Sequence, residues 1–152
     1  CETVSEDKIV FWQKWLNERA PGLPVIRVST RSEGLFDHLG RRLSVTADTA
    51  EFLAFSAIGR PAAFYAQLEH AGCRIGKRVE FRDHHCFSEA ELDELGRKAS
   101  EKKLRLVCTE KDFCKISPET AEKLGLSVLR IRTLPASQRS FTTELAAAGI
   151  HL

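Results

Sequence analysis

The sequence predicts an α/β fold: a mostly parallel sheet with helices on both faces, a Rossmann-like three-layer arrangement. Three observations carry that reading. Segments of strand character at Phe52–Ile58, Arg74–Phe81, Leu104–Cys108 and Ser127–Ile131 alternate with segments of helical spacing. The connections between them are short and marked by Gly, Pro and capping residues. The run Phe52–Ile58 is apolar almost without interruption, which suits a strand covered on both faces. Strands that alternate with helices in this way build a parallel sheet.

The elements follow in chain order. Ser5–Asn17 places Ile9, Trp12, Trp15 and Leu16 at helical spacing, with Ser5 able to cap the start. The stripe predicts a helix packed on a core; an interfacial membrane anchor at Trp12 and Trp15 is the alternative. Ala20–Pro24 breaks the helix, and Val25–Ser29 reads as a short strand. Arg31–Val45 is polar, carries two glycines and reads as a loop or hairpin. After the strand Phe52–Ile58, Pro61 fits the first turn of a helix reaching about Ala71, and Gly72 closes it. Asp83–Phe87 is the exit loop of the strand Arg74–Phe81. Ser88 and Glu91 have capping-box spacing and open a helix to about Lys103. Thr109–Asp112 is the exit of the strand Leu104–Cys108. Pro118–Leu124 is a helix closed by Gly125, and Phe141–Ala148 a short terminal helix.

A chain of 152 residues is long enough for one core, so residues 1–152 read as a single domain or fragment, with a motif-bearing core at about 51–133. Hydrophobic residues make up 43% and charged residues 29%, an ordinary globular balance. The formal charge of +2 is too even for a protein that coats nucleic acid, so no nucleic-acid partner is expected. There is no Met and residue 1 is Cys, from which a piece of a longer chain is expected. No run is long enough to span a bilayer, and no secretory leader is present; any such segment is expected upstream. The five cysteines, Cys1, Cys73, Cys86, Cys108 and Cys114, are odd in number and form no Cys-x-x-Cys pair. Reduced thiols in a cytosol follow, with Cys73 and Cys108 as small core residues.

In a sheet of this kind ligands bind outside the carboxyl ends of the strands. Three chemically unusual segments are strand exits: Gly59-Arg60-Pro61, Asp83-His84-His85 and Thr109-Glu110-Lys111-Asp112. The fold alone therefore predicts that they converge. A histidine on such a loop can accept a proton from a substrate hydroxyl, and a neighbouring carboxylate can hold its tautomer. The bland reading is a pair of loop histidines bonded to backbone. Asp83, His84, His85 and Cys86 are all metal-ligand types, but adjacent residues point in different directions, and spaced pairs of the zinc kind are missing. Lys111, with Glu110 and Asp112, is a candidate for facing a phosphate; a salt-bridged turn is the alternative. Arg60, beside a helix start, is a candidate anion contact. No Gly-x-x-x-x-Gly-Lys-Ser/Thr loop occurs, so these residues cannot cradle a nucleoside triphosphate in the P-loop manner.

The order Phe55-Ser56-Ala57-Ile58-Gly59-Arg60-Pro61 with Phe64 and Leu68, then Phe81-Arg82-Asp83-His84-His85, then Thr109-Glu110-Lys111-Asp112, resembles the carboxyl-terminal half of the tetraacyldisaccharide 4'-kinases. The likeness is close over Glu51–Lys115 and general in the flanks, Cys1–Ala50 and Ser117–Leu152. It implies the second part of a two-domain P-loop kinase of lipid A biosynthesis in Gram-negative bacteria. Such an enzyme moves the γ-phosphoryl group of ATP to the 4'-hydroxyl of an acylated glucosamine disaccharide 1-phosphate. The resemblance also implies that ATP and Mg²⁺ are bound mainly by an amino-terminal domain missing from this chain, which would be its partner. It implies the cytoplasmic face of the inner membrane, reached through that domain. By position in the motif, His84 takes the role of a base paired with an Asp of the missing half, with Asp83 and His85 supporting it, and no metal is expected on this chain. Two positions depart from the family pattern, Cys86 where Pro is frequent and Phe113 where a small residue is usual. Both touch loop packing.

Two other functions compete. A non-catalytic binding or regulatory domain would use Asp-His-His structurally. A metal-dependent Asp-His-His phosphoesterase would need further carboxylates, for which Asp37, Asp48 and Asp112 are the nearby candidates, in contexts that do not match.

Overall fold

The computed structural model describes residues 4–23, 25–44, 51–136, 138–147 and 149. Among them run α1 (Glu6–Arg19), β1 (Val28–Asp37), β2 (Arg42–Leu43), β3 (Phe52–Ser56), α2 (Pro61–His70), β4 (Ile75–Glu80), α3 (Glu89–Glu101), β5 (Arg105–Thr109), α4 (Glu110–Phe113), α5 (Pro118–Lys123), β6 (Ser127–Pro135) and α6 (Gln138–Ala147). The strands form one sheet in the order β2-β1-β6-β5-β3-β4. β3 pairs in parallel with β4 and with β5, and β5 in parallel with β6. β1 and β2 form an antiparallel hairpin, with Leu35 opposite Leu43. The sheet is thus mostly parallel, as its alternating pattern predicts. By contacts the chain forms two compact units: Ser32–Arg132, and Glu2–Arg31 together with Thr133–Leu152. The motif-bearing residues lie in the first.

The pleat of β3 explains its apolar composition. All five of its residues are buried. Leu53 and Phe55 point to one face, where Leu106 and Cys108 of β5 join Leu92, Leu95 and Ala99 of α3 and Ala121 of α5. Phe52 and Ala54 point to the other, where Val107 and Leu129 meet Phe64, Tyr65 and Leu68 of α2. Successive strand residues alternate faces, so a central strand with helices on both sides must be apolar throughout. Full burial of each large side chain contributes about 1.5–3 kcal/mol. Cys73 and Cys108 are core residues, as expected. Burial pushes the Cys73 thiol up to about 11 and the Cys108 thiol well above its ordinary value.

The punctuation reads as predicted in most places. Pro61 stands in the first turn of α2, and Gly72 and Gly125, at φ +83° and +55°, close α2 and α5 in the left-handed region. Ser88 and Glu91 form a reciprocal capping box at the start of α3. Five expectations need correction. The first strand is Val28–Asp37, not Val25–Ser29, and the segment expected as a loop or hairpin is a hairpin whose turn is tied by Asp37 to the N–H groups of Leu39 and Arg41. The last strand runs on to Pro135 because it has an antiparallel partner: Thr30 lies opposite Thr133, and the Ala136 N–H donates to Arg27. Ser5 holds the N-cap position of α1 but makes no side-chain cap bond. Most plainly, α1 buries none of its residues: Phe11 and Trp12 are 59% and 53% exposed, and the rings pack mainly on each other. The periodic stripe finds no core among the described residues. The terminal helix begins at Gln138 rather than Phe141, and Ala148, Val45 and Pro24 lie outside the described residues.

Candidate active site

β5, β3 and β4 are neighbours and run the same way, so their exits open at one edge of the sheet. The structure brings the three exit segments together there. The Phe81 N–H donates to the Ser56 carbonyl at 2.9 Å, and the His84 N–H to the Ala57 carbonyl at 3.2 Å, lacing the β4 exit to the β3 exit. The Lys111 ammonium lies 3.9 Å from the Asp83 carboxylate, linking the β5 exit to the same loop. Gly59 faces Asp83 so closely that a Cβ on it would stand 3.1 Å from Oδ2.

His84 is the exposed residue of the loop. Its backbone sits at φ +61°, a left-handed conformation that only Gly adopts without cost. Its side chain is 75% exposed, with Nε2 3.7 Å from the Asp83 carboxylate. Asp83 also accepts the His84 N–H at 3.0 Å, so the carboxylate both turns the loop and stands beside the imidazole. His85 points the other way. It stacks on Phe81 at 4.9 Å, meets the edge of Phe87, and its Nε2 lies 3.0 Å from Glu91. The Ser88 N–H, the Ser88 hydroxyl and His85 together hold the Glu91 carboxyl down at about 2. An ionised carboxylate only accepts hydrogen bonds, so the His85 Nε2 carries the proton. His85 therefore anchors the loop to the start of α3 and leaves His84 free at the edge.

The four residues Thr109–Asp112 divide in role. Thr109 caps α4 by accepting the Asp112 N–H. Glu110 turns toward β6 and lies 3.4 Å from Arg130. Lys111 is about half exposed and stands over the loop of His84. Asp112, grouped from its sequence with the phosphate-facing candidates, is instead fully buried: it accepts the Ala57 N–H at 3.0 Å, the Thr109 hydroxyl at 2.7 Å and the Lys115 ammonium at 2.8 Å. It braces the exits from beneath. Arg60 is exposed at the N-cap of α2, with no side-chain cap bond. Phe113 packs against the α3 side of the core, and Cys86 is exposed.

Two residues escaped the sequence reading of the site. Lys115 donates to Asp112 and, at 3.2 Å, to the His85 carbonyl. Its spacing of three from Asp112, at the end of a helical turn, is the signal that would have found it. Glu91 was legible as a cap but not as the partner of His85. Among the described residues, no group of three or more His, Cys, Asp and Glu side chains is placed to hold a metal. Of the carboxylates a phosphoesterase would need, Asp37 is tied to Arg41, Asp112 is internally bonded, and Asp48 lies outside the described residues.

Comparison with known proteins identifies the family and the fold. The profile of the family "Tetraacyldisaccharide-1-P 4'-kinase" matches residues 7–149, wider than the stretch whose motifs are legible by eye. A tetraacyldisaccharide 4'-kinase of Chelativorans sp. (strain BNC1) is 47% identical over 64 residues, 42% of this chain and 19% of that protein. One from Chlorobaculum tepidum is 34% identical over 129 residues, 84% of this chain and 37% of that protein. The crystal structure of "apo" form LpxK from Aquifex aeolicus in complex with ATP shares the fold, with a TM-score of 0.54 and 16% identity, over 86% of this chain and 40% of that one. The chain thus spans well under half the length of the proteins it matches, and within that span it belongs to the tetraacyldisaccharide-1-P 4'-kinase family.

Proposed function

We propose that the full-length protein carrying this chain transfers the γ-phosphoryl group of ATP to the 4'-hydroxyl of an acylated glucosamine disaccharide 1-phosphate, and that His84 is the base. The observation that carries this reading is the exposed His84 imidazole, held in a left-handed backbone where three parallel strand exits meet. Phosphoryl transfer needs positioning, charge stabilisation and a group that orients the attacking hydroxyl. In the proposed step the 4'-hydroxyl oxygen bonds to the γ-phosphorus and the bond from that phosphorus to the β–γ bridging oxygen breaks. The hydroxyl proton passes to the His84 ring, and ADP leaves with the bond's electron pair. Asp83, 3.7 Å from the ring, is the carboxylate that faces the imidazolium that forms. Lys111, beside Asp83, and Arg60, at the N-cap of α2, are the cations placed to meet phosphate oxygens.

The remaining parts of the reading rest on family membership. ATP with its Mg²⁺ is assigned to an amino-terminal P-loop domain, which also supplies an Asp to pair with His84. The same domain is assigned contact with the cytoplasmic face of the inner membrane. Among the described residues no helix is long and apolar enough to cross a membrane. The test is transfer of labelled γ-phosphate by the full-length protein to the acylated disaccharide, with the product mapped for a 4'-phosphate. Label at that position is the expected result. No transfer, with metal-dependent phosphodiester hydrolysis in its place, would sink the kinase reading.

A further inference from the structure

We propose that the buried Asp112 and its half-buried partner Lys115 form a clamp that positions His84, a role that rests on His84 being the base. Asp112 has no exposed surface, and both of its oxygens are bonded inside the protein. Its partners span two strand exits, Thr109 at the end of β5 and Ala57 after β3. Lys115 adds the third by donating to the His85 carbonyl after β4 while its ammonium pairs with Asp112. Ala57 closes the circuit: its N–H goes to Asp112, and its carbonyl accepts the His84 N–H. His84 is therefore held on both sides, by Ala57 at its own N–H and by Lys115 at the carbonyl of the next residue.

The backbone between those two bonds is the strained one, at φ +61°. A non-glycine residue stays in that region only where its surroundings over-determine it. An ion pair on a fully buried carboxylate is a poor route to stability, because desolvation offsets most of the attraction. What this pair does supply is a fixed direction for the His84 side chain. Its ammonium and carboxylate face each other and the loop backbone, whereas Lys111 is the cation facing outward.

The test uses the full-length protein with Lys115→Met, Lys115→Arg, Asp112→Asn/Lys115→Met, His84→Ala and His84→Ala/Lys115→Met. Two readouts are taken: kcat and KM for γ-phosphate transfer, and hydrogen exchange of the His84 amide. Lys115→Met leaves a buried carboxylate unpaired and can fail to fold; the double replacement removes both charges and keeps the test open. Loss of the clamp is expected to lower kcat about tenfold or more at unchanged KM for ATP, since misplacement by about 1 Å costs up to a hundredfold. His84 exchange is expected to speed up, and Lys115→Arg to restore most of both. In the His84→Ala background, Lys115→Met is expected to cost nothing further, because it acts through His84. Losses that multiply, or unchanged His84 exchange, overturn the clamp. An unaffected kcat in His84→Ala alone overturns the base assignment, a failure the exchange data separate from the clamp's own.

Discussion

The His84 N–H donates to the Ala57 carbonyl at 3.2 Å, and this bond joins the exits of two adjacent parallel strands. It turns the loop so that one histidine faces outward while the next is stacked on Phe81 and tied to Glu91. The division of labour within Asp83-His84-His85 follows from that turn.

Because His84 holds a left-handed backbone with a largely exposed ring, its replacement by glycine is expected to stabilise the fold while abolishing its chemistry. His84→Gly should raise unfolding free energy by up to about 1 kcal/mol, the scale of the steric cost for a non-glycine residue there. Chemical denaturation of the chain measures it. A clear loss of stability would mean that the imidazole packs more than its exposure shows.

Gly59→Ala sets a Cβ 3.1 Å from the Asp83 carboxylate. The side chain of Asp83 must shift by a few tenths of an ångström and leave its place beside His84. Stability should change by less than about 0.5 kcal/mol, as for most surface substitutions. Transfer by the full-length protein should fall severalfold, which steady-state kinetics would detect.

Glu91 gives a pH dependence with a defined sign. Its carboxyl lies at about 2 in the folded chain, against an ordinary value of 4.5. A depressed carboxyl contributes stability that is present above the unfolded value and lost as pH falls through the folded one. The window is therefore between 4.5 and about 2. Denaturation midpoints across that range should fall more steeply for the native sequence than for Glu91→Gln; parallel curves would contradict the capping-box and His85 contacts.

Core and surface aromatics should separate cleanly. Phe55 is fully buried and meets the edge of Phe87 at 5.5 Å, so Phe55→Ala should cost about 3–5 kcal/mol. Trp12→Ala, on the exposed face of α1, should cost less than about 0.5 kcal/mol in this chain. Thermal or urea unfolding of both variants is the check.

The difference between these two aromatics also shows what the sequence made legible. Phe52–Ser56 is readable because a strand covered on both faces must be apolar along its whole length. The caps at Pro61, Ser88, Gly72 and Gly125 are readable because they act on their own neighbours. β1 and the extension of β6 are not, since each owes its length to a partner about a hundred residues away in sequence. The stripe on α1 was misread because periodicity reports an apolar face and says nothing of what covers it. At the site, parallel strand order was enough to predict convergence of the three exits. The inward turn of Asp112 depended on a side-chain direction that no spacing rule fixes, whereas its bond to Lys115 follows the spacing of three along a helical turn.

The most direct test of the account is γ-phosphate transfer to the acylated disaccharide by the full-length protein, with and without His84→Ala. A fall of about a hundredfold or more in kcat, the scale of general-base loss, is the predicted result. A His84→Ala protein that transfers phosphate at the unaltered rate would contradict it.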